Sequence, residues 1–374
     1  MIRRIGSLAI KEFIHLRNDW WLPAFMLFGG ILELLLVGWA TSRPITNLPI
    51  MVFDQSKSPA SQQIVTALEN TGTFRTPQDV SGMSPIRSAM EQGTISAALI
   101  IPPDFSEQLA ASTGQPSLSV ILNGADSTSA MAAERAVQGV VATIDQRIVV
   151  QRFGLDPVQL SAFNPSVRVL FNENLTEAFY TVPAELGLML EFTVLLFAAL
   201  GLSRERELGT LEQLLVMPFS SLEIMIGKAI PVILVGFTDF VLMLAMVHFA
   251  FGVPVRGSLI LLLVLAFLYL LVELGKGMVI SVISRSQHQA LLLVLLVGMV
   301  DFMFTGYAAP VEGMPKVLQY IANIIPANHW LNILRGILLK GAGLDVLWPQ
   351  IAALLGLGLV IGLFSWRFVR RALD

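Results

Sequence analysis

The sequence predicts an α-helical membrane protein with six transmembrane helices and an α/β extracytoplasmic domain between the first two helices. Of the 374 residues, 55% are hydrophobic and only 14% are charged, whereas a soluble domain has about 25% charged residues. Such a surplus of apolar residues has to face lipid. Six long apolar segments and one long polar stretch, in which strand and helix patterns alternate, complete the prediction.

The chain begins with an amphipathic segment, Ile2–Asn18, whose apolar face opposes a basic one. This pattern is typical of a helix lying in the membrane interface, which Trp20 and Trp21 then mark. We predict an interfacial helix over residues 1–19 and a first transmembrane helix over 20–42. A cleaved signal peptide is not expected, because the polar leader is too long and no small-residue cleavage pattern follows.

Six segments are apolar over the roughly 20 residues that a bilayer crossing requires. They are Trp20–Thr41, Pro183–Leu202, Ala229–Phe251, Ser258–Ile283, Ala290–Ala308 and Val346–Phe368. Basic residues concentrate before the first segment, between the second and third, and after the sixth. By the positive-inside rule, both termini are predicted to be cytoplasmic.

Residues 43–181 are predicted to form a periplasmic α/β domain. Three strands are expected near Pro49–Phe53, Ala97–Ile101 and Leu118–Leu122, with a further strand near Ser166–Phe171. Helices are expected near Pro59–Glu69, Ile86–Glu91, Phe105–Ala111 and Ser127–Gln151. Asp54, Asp104 and Asp126 follow strands or begin helices, and we interpret them as caps in preference to a ligand or metal site.

Several chemistries find no support in the sequence. There is no cysteine, so disulfides and thiolate sites are excluded. No basic patch with interleaved aromatics indicates nucleic acid, and no catalytic or metal-binding motif occurs. The nucleotide-binding pattern G-x-x-x-x-G-K-[ST] is also absent, so this chain is not expected to hydrolyse ATP by that route. We predict no catalytic residue, no metal site and no cofactor in the chain.

A charged segment, Arg204–Pro218, lies between the second and third apolar segments. Leu208, Leu211 and Leu215 fall at helical spacing, and Pro218 provides a stop. We predict a short amphipathic helix over residues 204–217 on the cytoplasmic side, which suits contact with another protein. Glu205, Glu207 and Glu212 are the predicted partner contacts, whereas Arg204 and Arg206 are expected to anchor the helix to lipid headgroups.

Charged residues within the spans each require an explanation, because burying a charge in lipid is costly. Glu273 and Lys276 stand three residues apart and can pair on one helix face. Asp239 and Asp301 lack partners nearby in the sequence. Both a translocation pathway and a structural polar contact, including one with each other, remain open for these two.

The last predicted outer loop, residues 311–340, contains two short apolar pieces, Val317–Ile325 and His329–Leu339, divided by Pro326. Neither piece can cross a bilayer. We expect an outer re-entrant hairpin in preference to two interfacial helices lying flat.

These features together resemble the permease subunits of ABC-2 type ATP-binding-cassette exporters, in the bacterial inner-membrane form with a large periplasmic domain. The most specific match is the string Arg204-Glu205-Arg206-Glu207-Leu208-Gly209-Thr210-Leu211-Glu212-Gln213-Leu214. The other matching elements, in chain order, are Phe53–Ser56, Phe171–Leu175, Val182-Pro183, Met217-Pro218, Gly227-Lys228, Thr305-Gly306 through Pro310, Met314-Pro315, Arg335-Gly336 and Lys340-Gly341. The chain departs from the family at Lys276, where small apolar residues are usual.

The resemblance implies that residues 182–374 form an ABC-2 transmembrane domain and that the charged segment is a coupling helix. Its docking residues would be Arg204, Glu205, Arg206, Glu207, Gly209, Thr210, Leu211, Glu212, Leu214 and Leu215. Thr305 and Gly306 join Asp239 and Asp301 as candidate pathway or interface residues. The implied partners are a separate ATPase that holds ATP and Mg²⁺, a second permease subunit, identical or related, and a periplasmic adaptor.

The predicted function is therefore an ATP-driven exporter permease for hydrophobic or amphipathic substrates of the drug or lipid class. Two alternatives belong to other classes. An ion-coupled secondary transporter would use Asp239, Glu273 and Asp301, although no internal repeat of the kind common in such proteins is evident. A non-transporting membrane scaffold or sensor would act through its outer domain.

Overall fold

The computed structural model describes residues 1–42, 45–111, 116–153, 170–172 and 176–373. The chain divides into a helical unit, Met1–Arg43 with Arg168–Asp374, and a second unit, Pro44–Val167, that contains a β-sheet. In chain order the elements are α1 (Ile2–Asn18), α2 (Trp21–Thr41), β1 (Ile50–Asp54), α3 (Pro59–Glu69), β2 (Gln78–Asp79), α4 (Met83–Glu91), β3 (Ala97–Ile101), α5 (Phe105–Ala110), β4 (Ser119–Leu122), α6 (Ser127–Phe153), α7 (Ala178–Glu207), α8 (Leu211–Val216), α9 (Ser221–Phe251), α10 (Leu259–Ile283), α11 (Gln287–Phe304), a 3₁₀ turn (Val311–Gly313), α12 (Lys316–Asn323), α13 (Pro326–Arg335), a π-helical turn (Gly336–Lys340) and α14 (Leu344–Leu373).

Six helices of the described chain are long and apolar enough to cross a membrane, namely α2, α7, α9, α10, α11 and α14. This confirms the six predicted spans as helices. Some begin earlier than their apolar cores suggest, because capping residues set the start. Ser220 accepts from the Glu223 backbone while Glu223 accepts from the Ser220 backbone, so α9 begins eight residues before the predicted Ala229.

The helical unit is built around α7, the most enclosed of the six spans, which packs against α2, α9, α10 and α11. Trp330 of α13 stacks on Tyr269 of α10 with ring centroids 5.0 Å apart, and Phe240 of α9 lies against the same indole. These large buried rings join α9, α10 and α13 into one apolar core.

The N-terminal helix α1 packs against α9 through its apolar face. Leu8 and Ala9 are buried there. The two helices approach closely at Gly227, because a Cβ atom on that residue would lie 2.5 Å from Leu8 Cβ. Ile2–Asn18 is thus a helix, and its apolar face is covered by protein at these positions. Its position in the membrane interface stays a prediction.

The second unit holds a four-stranded sheet in the order β2-β1-β3-β4. Strand β1 is parallel to β2 and β3, whereas β3 and β4 are antiparallel. Ile50 and Val52 point toward α3 and α6, and Met51 and Phe53 point toward the side of α4. Successive side chains of β1 therefore contribute in turn to two apolar layers, one on each face of the sheet.

Strands β1, β3 and β4 and the four helices of this unit lie within a few residues of their predicted positions, whereas β2, which is two residues long, was not predicted. Asp54 accepts hydrogen bonds from Ser56 N, Lys57 N and Ser61 Oγ. Asp126 accepts from Ser129, which lowers the pKa of its carboxyl. Asp104 begins α5 without a capping bond from its side chain. The strand predicted over Ser166–Phe171 lies largely outside the described residues, and Leu170 and Phe171 are not in a strand. The location of this unit outside the cytoplasm stays a prediction.

The last predicted outer loop forms two helices, but its division differs from the prediction. Pro326 was expected to separate the two pieces, and instead it is the first residue of α13. Proline is favoured at this position because the first turn of a helix has no partner for its N–H groups. Helix α13 is buried over most of its length, whereas α12 is largely exposed. A re-entrant position in the bilayer stays a prediction.

Candidate functional site

The charged segment that follows α7 is not a single helix. Helix α7 continues to Glu207, and Gly209 then adopts a φ of 70°, in the left-handed region that favours glycine. Thr210 N donates to Glu205 O across this turn, which ends α7 in the manner of a Schellman motif. Helix α8 begins at Leu211. The predicted helix over residues 204–217 is therefore corrected to the last turn of α7, a glycine turn and the short α8.

Glu205 is buried and lies at the centre of an ion-pair network. Its Oε1 atom is 2.6 Å from Lys11 Nζ and 3.2 Å from Lys228 Nζ, and Thr210 Oγ1 donates to Oε2. Lys228 Nζ also lies 2.6 Å from Glu12 Oε1. We call Lys11, Glu12, Glu205 and Lys228 the Glu205 network. It ties α1, α7 and α9 together, and the burial of Glu205 places this carboxylate behind the surface rather than on it.

The two arginines of the segment are bound by protein groups. Arg204 pairs with Asp19 at the end of α1. Arg206 Nη1 donates to the carbonyl oxygens of Val282, at 3.1 Å, and of Ser284 at the end of α10. Anchoring to lipid headgroups was the predicted role of Arg204 and Arg206. Both guanidinium groups thus have partners within the chain, and their anchoring to lipid headgroups stays a prediction.

A small surface remains exposed beyond these contacts. We call Glu207, Leu208, Glu212, Val216 and Met217 the exposed tip. Val216 is 87% exposed and Leu208 60% exposed, so the tip combines apolar side chains with two acidic ones.

Hydrogen bonds to other parts of the helical unit fix the position of the exposed tip. Gln287 N donates to Glu207 Oε2 at 2.8 Å, and Arg4 Nη1 donates to Pro218 O at 2.8 Å. Of the other predicted docking residues, Leu214 is buried, Thr210 and Leu211 are half-buried, and the side chain of Leu215 lies outside the described part. The tip is thus a firmly mounted, partly apolar projection.

A small cleft with room for about 80 Å³ opens beside the Glu205 network. Apolar side chains such as Phe197, Val232 and Met278 form much of its wall, and Glu12, Glu205 and Lys228 lie at its polar part. Apolar and ionic groups thus meet near the end of α7, in a space of only a few water molecules.

A second group of charges lies inside the helical bundle. Lys276 Nζ is 3.0 Å from Glu191 Oε1, 2.7 Å from Glu273 Oε2 and 2.6 Å from Asp301 Oδ2. Tyr269 Oη donates to Glu191 Oε2 at 3.2 Å. We call these five residues the Lys276 cluster. The predicted pair of Glu273 and Lys276 is confirmed, and Asp301, for which no partner was expected nearby, is bonded to the same ammonium.

The other candidate pathway residues lie apart from this cluster. Asp239 accepts from Thr193 Oγ1 at 2.9 Å, so Asp239 and Asp301 have separate partners and do not bond to each other. Thr305 ends α11, and Gly306 follows with a φ of 78°. The carbonyl of Gly306 accepts from Tyr180 Oη at 2.6 Å and from Arg335 Nη1 at 3.2 Å. Their role in a pathway stays a prediction.

Sequence reasoning missed the partners in both networks as site residues. Lys11 and Glu12 of α1 meet Lys228 of α9 at Glu205 of α7, and Glu191 joins residues at least 78 positions away. One signal was available. Glu12 stands on the apolar face of α1 and Lys228 lies in an apolar helix, and a charge in such a position requires a partner.

The comparisons with known proteins agree with this architecture. Residues 20–367 match the profile of the ABC-2 family transporter proteins. The probable multidrug ABC transporter permease YbhR of Escherichia coli is 29% identical over 99% of both chains, and the inner membrane transport permease YhhJ of the same organism is 28% identical over 96% of this chain and 94% of its own length. ABC transporter G family member 20 of Dictyostelium discoideum is 24% identical over 91% of this chain, which corresponds to 47% of that protein.

The family match covers most of the chain and includes all the described membrane helices in whole or in large part. The relatives that align over nearly their full length are named as transporter permeases, in keeping with the prediction of a permease rather than an enzyme. This chain therefore belongs to the ABC-2 transporter family.

Proposed function

We propose that this protein is the permease subunit of an ATP-driven exporter and that a separate ATP-binding-cassette ATPase docks on the exposed tip. The observation that carries the proposal is the mounting of the tip. Leu208, Val216 and Met217 present apolar surface, while the residues behind them are bonded to α1, α9 and α10. A force applied at the tip would reach several membrane helices directly.

In this proposal ATP hydrolysis takes place in the partner ATPase, and this chain provides the membrane passage. The chain has no G-x-x-x-x-G-K-[ST] pattern, so ATP and Mg²⁺ belong to the partner in this proposal. The export step is a two-state rearrangement of two permease subunits, identical or related, above two ATPases. The inner membrane of a bacterium, with both termini in the cytoplasm, is the proposed location, and the sheet unit would face a periplasmic adaptor.

The proposed substrates are hydrophobic or amphipathic molecules of the drug or lipid class. The apolar character of the membrane helices supports this class, because spans with few charges suit hydrophobic or amphipathic cargo. A relative aligned over nearly its full length carries the name of a probable multidrug ABC transporter permease, which points to the same class.

Substitution of Val216 by Asp tests the docking surface. The full chain is co-expressed with ATP-binding-cassette ATPases of its own genome, and the retained ATPase is quantified after purification. Burying an unpaired charge in the interface should weaken binding by about 2 kcal/mol or more, which is about thirtyfold or more. The matched control is Val141→Asp, on the exposed side of α6, which should retain the ATPase.

Equal ATPase recovery with Val216→Asp and with the control would overturn the proposed docking surface. Transport provides the second arm. Export from vesicles should stop when ATP is depleted, and export that continues on a proton gradient alone would favour the ion-coupled alternative.

A further inference from the structure

We propose that the Lys276 cluster is a proton-binding site, in which two protons are shared among the carboxyl groups of Glu191, Glu273 and Asp301. The cluster lies within the membrane helices and takes no part in the exposed tip or the cleft. Its ligand, the proton, is independent of the identity of the ATPase or the exported substrate. The proposal can therefore stand or fall separately from the proposed function.

The charges of the cluster do not balance without protons. Glu191 and Glu273 are fully buried, Asp301 is 5% exposed, and one ammonium, Lys276, serves all three. Buried charges of one sign are costly inside a membrane protein, and like charges that share a site cannot all ionise. Lys276 offsets one carboxylate, so neutrality requires a proton on each of the other two.

The bonding of Glu273 supports the same conclusion. Its Oε2 lies 2.7 Å from Lys276 Nζ on the same helix, yet neither oxygen of Glu273 makes a hydrogen bond of good geometry within the described part of the chain. A fully ionised carboxylate in this position would leave buried lone pairs without donors. Protonation of Glu273 removes the buried charge and with it most of that cost.

The surrounding helices bring no other compensating charge among the described residues. On α9, Asp239 is bonded to Thr193, and on α13, His329 is bonded to Gln350 and Asn323 and Arg335 to backbone carbonyls. The charged residues of α14 stand near its two ends. In the same described region, the three carboxylates do not converge as metal ligands do, since the ammonium lies between them.

The cluster spans three helices, which makes its proton content depend on their packing. Glu191 belongs to α7, Lys276 to α10 and Asp301 to α11. If α11 separated from α10 into a wet pathway, Asp301 would lose its ammonium partner and give one proton to water. Lys276 would remain balanced by Glu191 and Glu273, which keep the other proton. Helix separation and proton release are thereby linked.

Infrared spectroscopy of the full chain in lipid bilayers at neutral pH tests the proposal through the carbonyl band of protonated carboxylic acids. Because the protons are shared, Glu191→Gln, Glu273→Gln and Asp301→Asn should each reduce the band by the area of about one carboxylic acid. Lys276→Met should increase it by about the same area, since the third carboxyl then also needs a proton. The control Glu107→Gln, on the exposed surface of α5, should leave the band unchanged.

Three neutral variants keep the test decisive if one of them fails to insert. An unchanged band in the carboxyl variants that insert would show that the carboxylates are ionised and would overturn the proposal. A loss confined to one of two or three inserted variants would also overturn the shared site. Equal losses, with no loss in the control, would establish it.

Discussion

The Glu205 network and the Lys276 cluster both pair lysine ammonium groups with carboxylates but differ in their charge balance. In the first, two ammonium groups face two carboxylates, and the pairing ties α1, α7 and α9 behind the exposed tip. In the second, one ammonium faces three carboxylates. A balanced network holds helices together without help, whereas an unbalanced one has to take up protons. The same substitution should therefore have different consequences at the two places.

The largest effect is expected for Lys276→Met. It should lower the free energy of unfolding by about 3–5 kcal/mol, the usual cost of removing one partner of a buried ion pair. The folded chain would have to bind a further proton that the unfolded chain does not hold, so the loss should shrink as the pH falls. Thermal unfolding in detergent at several pH values measures both effects.

Lys340→Met, an exposed lysine at the end of the π-helical turn, is the matched control and should have little effect. A loss for Lys276→Met that is as small as the control's would contradict the importance of the single ammonium.

An intermediate effect is expected for Glu205→Gln. The amide cannot offset Lys11 and Lys228, so the free energy of unfolding should fall by about 2 kcal/mol, the range for hydrogen bonds to charged groups. Helix α1 should loosen from α7 and α9, and protease cleavage within α1 should become faster. Glu107→Gln controls for the substitution itself. Wild-type stability and an unchanged cleavage rate in Glu205→Gln would show that the Glu205 network does not hold α1 against α7 and α9.

The smallest effect is expected for Glu273→Gln. The cluster can lose one carboxyl together with one proton and remain neutral, so the free energy of unfolding should change by less than about 1 kcal/mol. Unfolding measurements beside Glu205→Gln make the comparison direct, since both replace a buried glutamate with glutamine. If the two variants lose equal stability, the distinction between balanced and unbalanced networks is wrong.

The membrane helices and most of the sheet unit followed from local patterns. Apolar length predicted the spans, and alternation with turn residues predicted β1, β3 and β4. The division of the charged segment at Gly209 could not be derived in the same way. Helical spacing of Leu208, Leu211 and Leu215 indicated continuity, and the left-handed conformation of one glycine ended it. Periodicity reports which residues can share a face, but it does not report whether the backbone continues between them.

The sequence predicted where the charged segment lies, but it did not predict what each of its charged side chains contacts. Glu205 is part of the most specific sequence string, yet its carboxylate is buried against Lys11 and Lys228. The spacing of Glu273 and Lys276 predicted one pair, and the contributions of Glu191 and Asp301 came from other helices. A sequence shows that a buried charge needs a partner, but it does not identify a partner that lies far along the chain.

The sequence by itself determined that this is a six-span membrane protein with a strand-and-helix insertion and a charged segment between its second and third spans. These features depend on apolar length, short-range periodicity and capping, which are local properties. Only the tertiary structure decided which charges meet, which of them are buried and which side chains form the exposed tip. Those outcomes depend on helix packing, which brings Lys11 within 2.6 Å of Glu205 although 194 positions separate them.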